Sequence, residues 1–166
     1  FAMLPLMCIA QPDTQKQNVL QVRFIKPADN LTLDAAFELV KRVRRVGESL
    51  NRRVAIAVLD RAGTIILLIR DDDVGPHNTE AARRKAYTAL SAKTSTLELL
   101  RNADRSIETR NLATLPELLL LSGGIPLYFK GQIIGSIGIA GGGSPQNDDL
   151  IGRSAVIPEV GISTNK

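Results

Sequence analysis

Two stretches of the chain consist of apolar residues interrupted by a short turn, and this pattern constrains the fold most. In the first stretch the turn is Asp60-Arg61-Ala62-Gly63, with Asp and Gly at the first and fourth positions of a type I-based hairpin. In the second the turn is Lys130-Gly131. Tight hairpins join antiparallel strands, so the sequence predicts an antiparallel sheet and not the alternating βαβ order of nucleotide-binding folds. The four predicted strands are residues 54–60, 64–70, 125–129 and 132–140.

Apolar residues at helical spacing predict the elements that cover this sheet. Residues 31–51 form one amphipathic helix with Thr32 as its N-cap, and residues 79–92 form a second with Asn78 as its cap. The alanines of the second helix suit close packing on a sheet. Shorter helices are predicted at residues 95–101 and 148–155, and a fifth strand at residues 19–25. The fold class is therefore α+β, with helices packed against an antiparallel sheet of about five strands.

A chain of 166 residues is long enough for one domain with a sizeable core. We divide it into an N-terminal extension (residues 1–29), a main domain (residues 30–158) and a tail (residues 159–166). The first ten residues, FAMLPLMCIA, are apolar but too short to span a membrane. They fit the remnant of a signal peptide, or Phe1-Ala2 was added by cloning. We expect a periplasmic or secreted protein, with cytoplasmic residence as the alternative.

The composition argues against several classes of function. The formal net charge is +4, but the basic residues have no interleaved aromatic residues for base stacking, so a nucleic-acid partner is not predicted. One cysteine and one histidine cannot form an internal disulfide or a Cys/His zinc site. The chain has no Gly-x-Ser-x-Gly sequence, which disfavours hydrolase chemistry.

His77 is the strongest candidate for a functional residue. It is the only histidine and follows Gly75-Pro76, directly before the predicted second helix. Its imidazole suits a ligand of haem iron or of another metal. A helix N-terminus disfavours the charged ring, whereas Asp71–Asp73 would favour it. The alternative is a partly exposed histidine that bonds a backbone group in a turn. Both interpretations remain open at this point.

Charged residues and glycines near this histidine also have two interpretations each. Asp71–Asp73 could bind a hard cation or form a solvated acidic turn. Arg83 and Arg84 could pair with these aspartates or with carboxylates of a ligand. Gly135 and Gly138, inside a predicted strand, indicate the close approach of another backbone, of a flat ligand, or of a helix packed on the sheet.

Several motifs in the correct order resemble the GlcG/HbpS-like family, also called the haem-degrading domain family. The resemblance covers most of residues 31–155. Its motifs are Leu31-Thr32-Leu33-Asp34-Ala35-Ala36, Val54–Asp60 with Gly63, Ala82–Ala89, Gly123–Leu127, Gly131–Ile139 and the Gly141–Gly143 loop.

The resemblance implies a profilin-like antiparallel sheet and assembly into homo-oligomers, dimers or larger. It places the site at the end of the second strand, the start of the Ala-rich helix and the glycine-rich final hairpin. His77 is expected near a haem iron. The ligand-binding candidates are His77, Arg70, Asp73, Arg83, Tyr87, Gly124 and Gly138.

The function expected from this resemblance is small-ligand binding, with haem or a related tetrapyrrole as the ligand and at most weak haem-degrading activity. One alternative is an accessory protein or enzyme acting on a small organic acid such as glycolate, with Arg70, Arg83 and His77 around the carboxylate. Another is a structural assembly module that has no ligand.

Overall fold

The computed structural model describes residues 24–166, and the predictions for residues 1–23 lie outside this part of the chain. Within residues 24–166, no helix is both long enough and apolar enough to cross a membrane. The elements follow in the order α1 (Leu33–Ser49), β1 (Ala55–Asp60), β2 (Ile65–Arg70), α2 (His77–Ala92), α3 (Thr96–Arg105), α4 (Ile107–Arg110), a 3₁₀ turn (Asn111–Thr114), β3 (Gly124–Phe129), β4 (Gln132–Ala140), α5 (Pro145–Arg153), a 3₁₀ turn (Pro158–Val160) and β5 (Ile162–Ser163).

Five strands form one antiparallel sheet in the order β2-β1-β4-β3-β5, which confirms the predicted fold class. The two hairpins, β1-β2 and β3-β4, are joined through the central β1-β4 pair, in which Ala55 lies opposite Ala140 and Asp60 opposite Gly135. The fifth strand of this sheet is the C-terminal β5, which pairs with the outer edge of β3. Of the strand predicted at residues 19–25, residues 19–23 lie outside the described part of the chain, and Phe24 and Ile25 are not in a strand.

Helices cover both faces of the sheet. Because side chains alternate along a strand, β1 sends Ile56 and Val58 to the face covered by α1 and α5. It sends Ala55, Ala57 and Leu59 to the face covered by α2. The first face carries the larger core, of branched aliphatic residues, and the second carries mostly alanines. The small side chains let α2 lie close to the strands.

The contact between α2 and β4 is closest at Gly138. A Cβ atom at this position would collide with the carbonyl oxygen of Ala82 and lie 2.7 Å from the amide nitrogen of Ala86. Of the three interpretations of this glycine, close packing of a helix on the sheet is therefore the observed one. Gly135 allows a different approach, since a Cβ there would collide with the side chain of Leu31 and the carbonyl oxygen of Leu59.

The structure confirms one predicted helix cap and corrects another. Thr32 caps α1, because its hydroxyl accepts a hydrogen bond from the Ala35 amide at 3.2 Å. The prediction that Asn78 caps the second helix is wrong. Pro76 already has helical angles (φ −60°, ψ −30°), so α2 begins at His77, and the Asn78 side chain donates to the Gly75 carbonyl at 3.1 Å.

Candidate functional site

Helix α2 runs from one end of the sheet to the other and separates the predicted site residues. His77 begins the helix at the end of the sheet where β2 and β4 finish, here called the histidine end. Both hairpin turns lie at the opposite end, here called the turn end, together with the C-terminal part of α2. Tyr87 follows His77 by ten residues, or roughly 15 Å along the helix axis. His77 and Tyr87 therefore do not belong to the same ligand-binding site.

The aspartates of the histidine end pair with arginines from outside α2. Asp71 accepts a hydrogen bond from the Val54 amide at 3.2 Å and forms an ion pair with Arg44 at 2.8 Å. Asp73, whose φ is 63°, pairs with Arg53 at 3.1 Å. Of the two interpretations of Arg83 and Arg84, pairing with these aspartates is therefore not the observed one. The aspartates tie the end of β2 to α1 and to the chain entering β1.

The predicted arginines have other partners. Arg70 donates to the Val74 carbonyl at 2.6 Å, which closes the turn before α2. Arg83 bridges two glutamates, Glu80 at 2.7 Å and Glu117 at 2.9 Å. The hydrogen bond to Glu80 is the main cause that raises the pKa of Arg83 above its usual value. Arg70 and Arg83 are thus bound within the protein, and they do not form an open carboxylate site with His77.

The side chain of His77 is exposed in the first turn of α2. Its Cε1 atom would lie 2.9 Å from a Cβ atom at Gly75, so the ring lies against the preceding glycine. An exposed imidazole at a helix N-terminus is accessible to a metal ion or a bound group. The structure leaves both interpretations of His77 in place, and His77 remains a predicted iron ligand.

Gly124 and Gly138 lie beneath α2. The Gly124 amide donates to the hydroxyl of Thr96 at 2.9 Å, and a Cβ atom there would collide with the Lys85 carbonyl oxygen. Both glycines are buried. A ligand that contacted either position would have to displace part of the helix. In this structure the two glycines serve the packing of α2.

Lys85 forms a buried polar cluster at the centre of α2. Its ammonium donates to Asp148 at 2.7 Å and to the Ile139 carbonyl at 2.8 Å. The second carboxylate oxygen of Asp148 accepts from the Gly142 amide at 2.8 Å. These contacts join α2, β4, α5 and the glycine-rich loop. Because Lys85 and Asp148 are paired and hydrogen-bonded, the cluster is suited to holding the scaffold.

A cleft of about 540 Å³ lies at the turn end. Four parts of the chain form its walls: the β1-β2 turn, the last turns of α2, the β3-β4 hairpin and Lys166. Of the seven predicted ligand-binding residues, Tyr87 alone is among the residues that line this cleft. The other lining residues could not be predicted from the sequence because they depend on the strand order. The antiparallel pairing of β1 with β4 brings both hairpin turns to one end of the sheet. The lining residues are Arg61, Ala62, Gly63, Tyr87, Leu90, Ser91, Lys93, Tyr128, Gly131, Gln132, Ile133 and Lys166.

The two tyrosines of the cleft differ in their surroundings. Tyr128 is buried, and its hydroxyl donates to the Lys93 carbonyl at 3.3 Å. Burial, followed by the charge of Glu98, raises the pKa of Tyr128 above its usual value. Tyr87 is half-buried, its ring lies 3.5 Å from the Cβ position of Gly63, and its hydroxyl has no hydrogen-bond partner within residues 24–166.

Positive charge lines the cleft. The guanidinium of Arg61 and the ammonium of Lys93 form no ion pair with any side chain in the described part of the chain. The lining contains no aspartate or glutamate. A ligand with carboxylate groups and an apolar body matches this combination of free cations, tyrosine rings, Leu90 and Ile133.

Comparisons with known proteins agree on one family. The family model described as haem degrading protein HbpS-like matches residues 31–157. An uncharacterised 15.0 kDa protein of Citrobacter freundii, encoded in the dhaT-dhaS intergenic region, is 27% identical over 128 residues, which are 76% of this chain and 89% of that protein.

Two solved structures have the same fold. The crystal structure of a double mutant of Streptomyces reticuli HbpS has a TM-score of 0.72 and 31% identity, covering 93% of this chain and 95% of that chain. The crystal structure of a PduOC:haem complex has a TM-score of 0.73 and 26% identity, covering 82% and 99% respectively. With the family model matching more than half of its residues, this chain belongs to the HbpS-like family of haem-degrading proteins.

Proposed function

We propose that this protein binds haem or a related tetrapyrrole, as a small-ligand-binding protein with at most weak haem-degrading activity. The observation that carries the proposal is the likeness to a relative solved in complex with haem, over nearly the whole length of that relative. The description of the family, which names haem as the molecule degraded, supports the same class of ligand.

The residues present fit such a group. Haem iron in proteins is held by histidine, tyrosine, cysteine or methionine. Cys8, Met3 and Met7 lie outside the described residues, so the described part offers His77 and the tyrosines. A cleft of about 540 Å³ is within the usual range for small-molecule sites, roughly 300–1,000 Å³. Free cations at its wall suit the carboxylates of a tetrapyrrole.

Titration of the purified protein with hemin tests the proposal. We expect the Soret band of hemin to shift and sharpen and to saturate at a fixed ratio of hemin to chain. Protoporphyrin IX without iron serves as the control, because it separates binding of the macrocycle from ligation of the metal. A hemin spectrum that stays the same as in buffer at every ratio would refute the proposed function.

The proposal includes assembly into a homo-oligomer, a dimer or larger. The support is the edge strand β2, which has no strand partner on its outer side among residues 24–166. Two of its apolar side chains, Ile65 and Leu68, are 44% and 36% exposed. Exposed edges of this kind pair readily with another strand. Light scattering with sedimentation measures the assembly, and a mass of one chain at all concentrations would contradict it.

A further inference from the structure

We infer that the tetrapyrrole occupies the cleft at the turn end, with the phenol oxygen of Tyr87 as the iron ligand in place of His77. The inference rests on the proposed function and names the part of the molecule that performs it. The cleft is the first argument. Tyr87 lines a cavity of about 540 Å³, whereas His77 is exposed and is not among the residues that line it. Binding sites for small molecules bury most of the ligand surface.

The availability of the phenol is the second argument. The hydroxyl of Tyr128, the other tyrosine of the cleft, already donates a hydrogen bond to the Lys93 carbonyl. The hydroxyl of Tyr87 has no such partner among residues 24–166, while its ring is held in place against Gly63. Gly63 has a φ of 85°, and the space beside it is filled by the Tyr87 ring and by Leu90. Tyr87 therefore combines a positioned ring with a free oxygen.

The charge of the cleft is the third argument. The carboxylates of a tetrapyrrole are matched by cations at the wall of its site. Arg61 lines the same cleft and forms no ion pair with the described residues. Lys93, at the end of α2, is a second cation that has no ion pair within residues 24–166. These two groups suit the carboxylates of the ligand.

The histidine end has no such advantage in charge. Arg44 and Arg53 are already paired with Asp71 and Asp73. Arg52, whose guanidinium lies beside Gly143, and the exposed Asp72 form no ion pair in the described part of the chain. For a ligand with carboxylates these two opposite charges offset each other. The shape of the cleft and the available phenol therefore favour the turn end.

Spectra of two single-site variants test the inference. Tyr87→Phe removes a hydroxyl that makes no hydrogen bond within residues 24–166, so the fold and the ring packing are kept. We expect wild-type protein with hemin to show a high-spin ferric spectrum with a phenolate-to-iron charge-transfer band. The Tyr87→Phe variant should lose that band and bind hemin at least about tenfold more weakly. The His77→Ala variant should match the wild type in both properties.

The macrocycle without iron supplies the second measurement. Protoporphyrin IX should bind the wild type and Tyr87→Phe equally, because Tyr87 then contributes only its ring. Arg61→Glu, which reverses a free charge at the wall, should weaken both protoporphyrin IX and hemin. Circular dichroism of each variant checks that the fold is intact.

The outcomes separate this inference from the function on which it rests. Hemin binding that is lost in His77→Ala and intact in Tyr87→Phe would overturn the inference while leaving haem binding established. If Arg61→Glu binds hemin and protoporphyrin IX with unchanged affinity, the ligand does not bind in the cleft. No binding of hemin or of protoporphyrin IX by the wild type would overturn the proposed function itself.

Discussion

Gly138 is the residue at which α2 approaches the sheet most closely, and it gives the sharpest test of that packing. The Gly138→Ala variant would place a methyl group against the Ala82 carbonyl, a backbone atom that cannot turn away. We expect a loss of stability at the upper end of roughly 1–3 kcal/mol, the usual cost of overpacking. Urea unfolding monitored by circular dichroism measures it.

Gly131 provides the matched control for this substitution. It lies in the tight β3-β4 turn with a φ of 71°, and no atom lies within 4 Å of its Cβ position. Gly131→Ala therefore tests the cost of a side chain at a positive φ without steric crowding. We expect it to lower the free energy of unfolding by about 1 kcal/mol. If Gly138→Ala costs no more than this control, the helix does not pack on the sheet as closely as described.

Glu80 makes part of the stability depend on pH. Its hydrogen bond with Arg83 is the main cause that lowers the pKa of Glu80 below its usual value of 4.5. A pKa lowered by folding stabilises the folded protein above the unfolded value, and this contribution disappears as the pH falls through the folded value. We expect a small effect, because the pair is largely solvated.

The measurement compares unfolding of the wild type and Glu80→Gln at pH 7 and at about pH 3. The variant should be less stable than the wild type at neutral pH, and the difference should shrink in acid. If the difference in stability between the wild type and Glu80→Gln is the same at both pH values, the ion pair of Glu80 with Arg83 does not stabilise the folded protein.

At the scale of single elements, the start of α1 depends on one side chain. The Thr32 hydroxyl accepts from the Ala35 amide and is exposed, so its removal affects little besides the cap. Thr32→Ala should lower the free energy of unfolding by about 1 kcal/mol. Thr32→Ser keeps the hydroxyl and should remain close to the wild type. Equal losses in the two variants would assign the effect to the methyl group instead.

Elements with a strong local pattern could be predicted from the sequence, and those set by neighbours could not. The β1-β2 hairpin was predicted because Asp60 and Gly63 satisfy the turn by themselves, and the Gly63 amide does donate to the Asp60 carbonyl. Helix α5 begins at Pro145, three residues before the prediction, because Ser144 caps it and proline suits the first turn. The two-residue β5 depends on pairing with β3 and has no pattern of its own.

At the scale of the whole molecule, the buried pair of Lys85 and Asp148 joins elements from distant parts of the chain. The Lys85→Met variant fills similar space but leaves a buried carboxylate with one partner fewer. We expect it to lose about 3–5 kcal/mol, the usual cost of leaving one member of a buried pair alone. Thermal and urea unfolding measure the loss.

A second substitution checks the origin of that loss. Adding Asp148→Asn to Lys85→Met removes the unpaired charge and keeps the hydrogen bond from the Gly142 amide. The double variant should recover part of the stability. If the double variant loses as much stability as Lys85→Met and Asp148→Asn lose separately when added together, the lysine and the aspartate do not act as a pair.

Whole-molecule geometry also explains why the candidate site was only partly predictable. The resemblance predicts one site that includes both His77 and Tyr87, together with glycines of the final hairpin. Helix α2 crosses the sheet, so His77 and Tyr87 reach opposite ends. The partners of Tyr87 in the cleft come from turns at about residues 61 and 131, and only the pairing of β1 with β4 brings these together.

The cleft consists mainly of turns and a helix end, whereas the contacts that hold the fold lie elsewhere. Arg61, Lys93 and Gln132 can be replaced without touching the buried aliphatic core or the Lys85 cluster. Substitutions that alter ligand preference are thereby uncoupled from those that threaten folding. Such an arrangement lets members of a family diverge toward different small molecules at little cost in stability, with the same sheet and helices beneath every variant of the cleft.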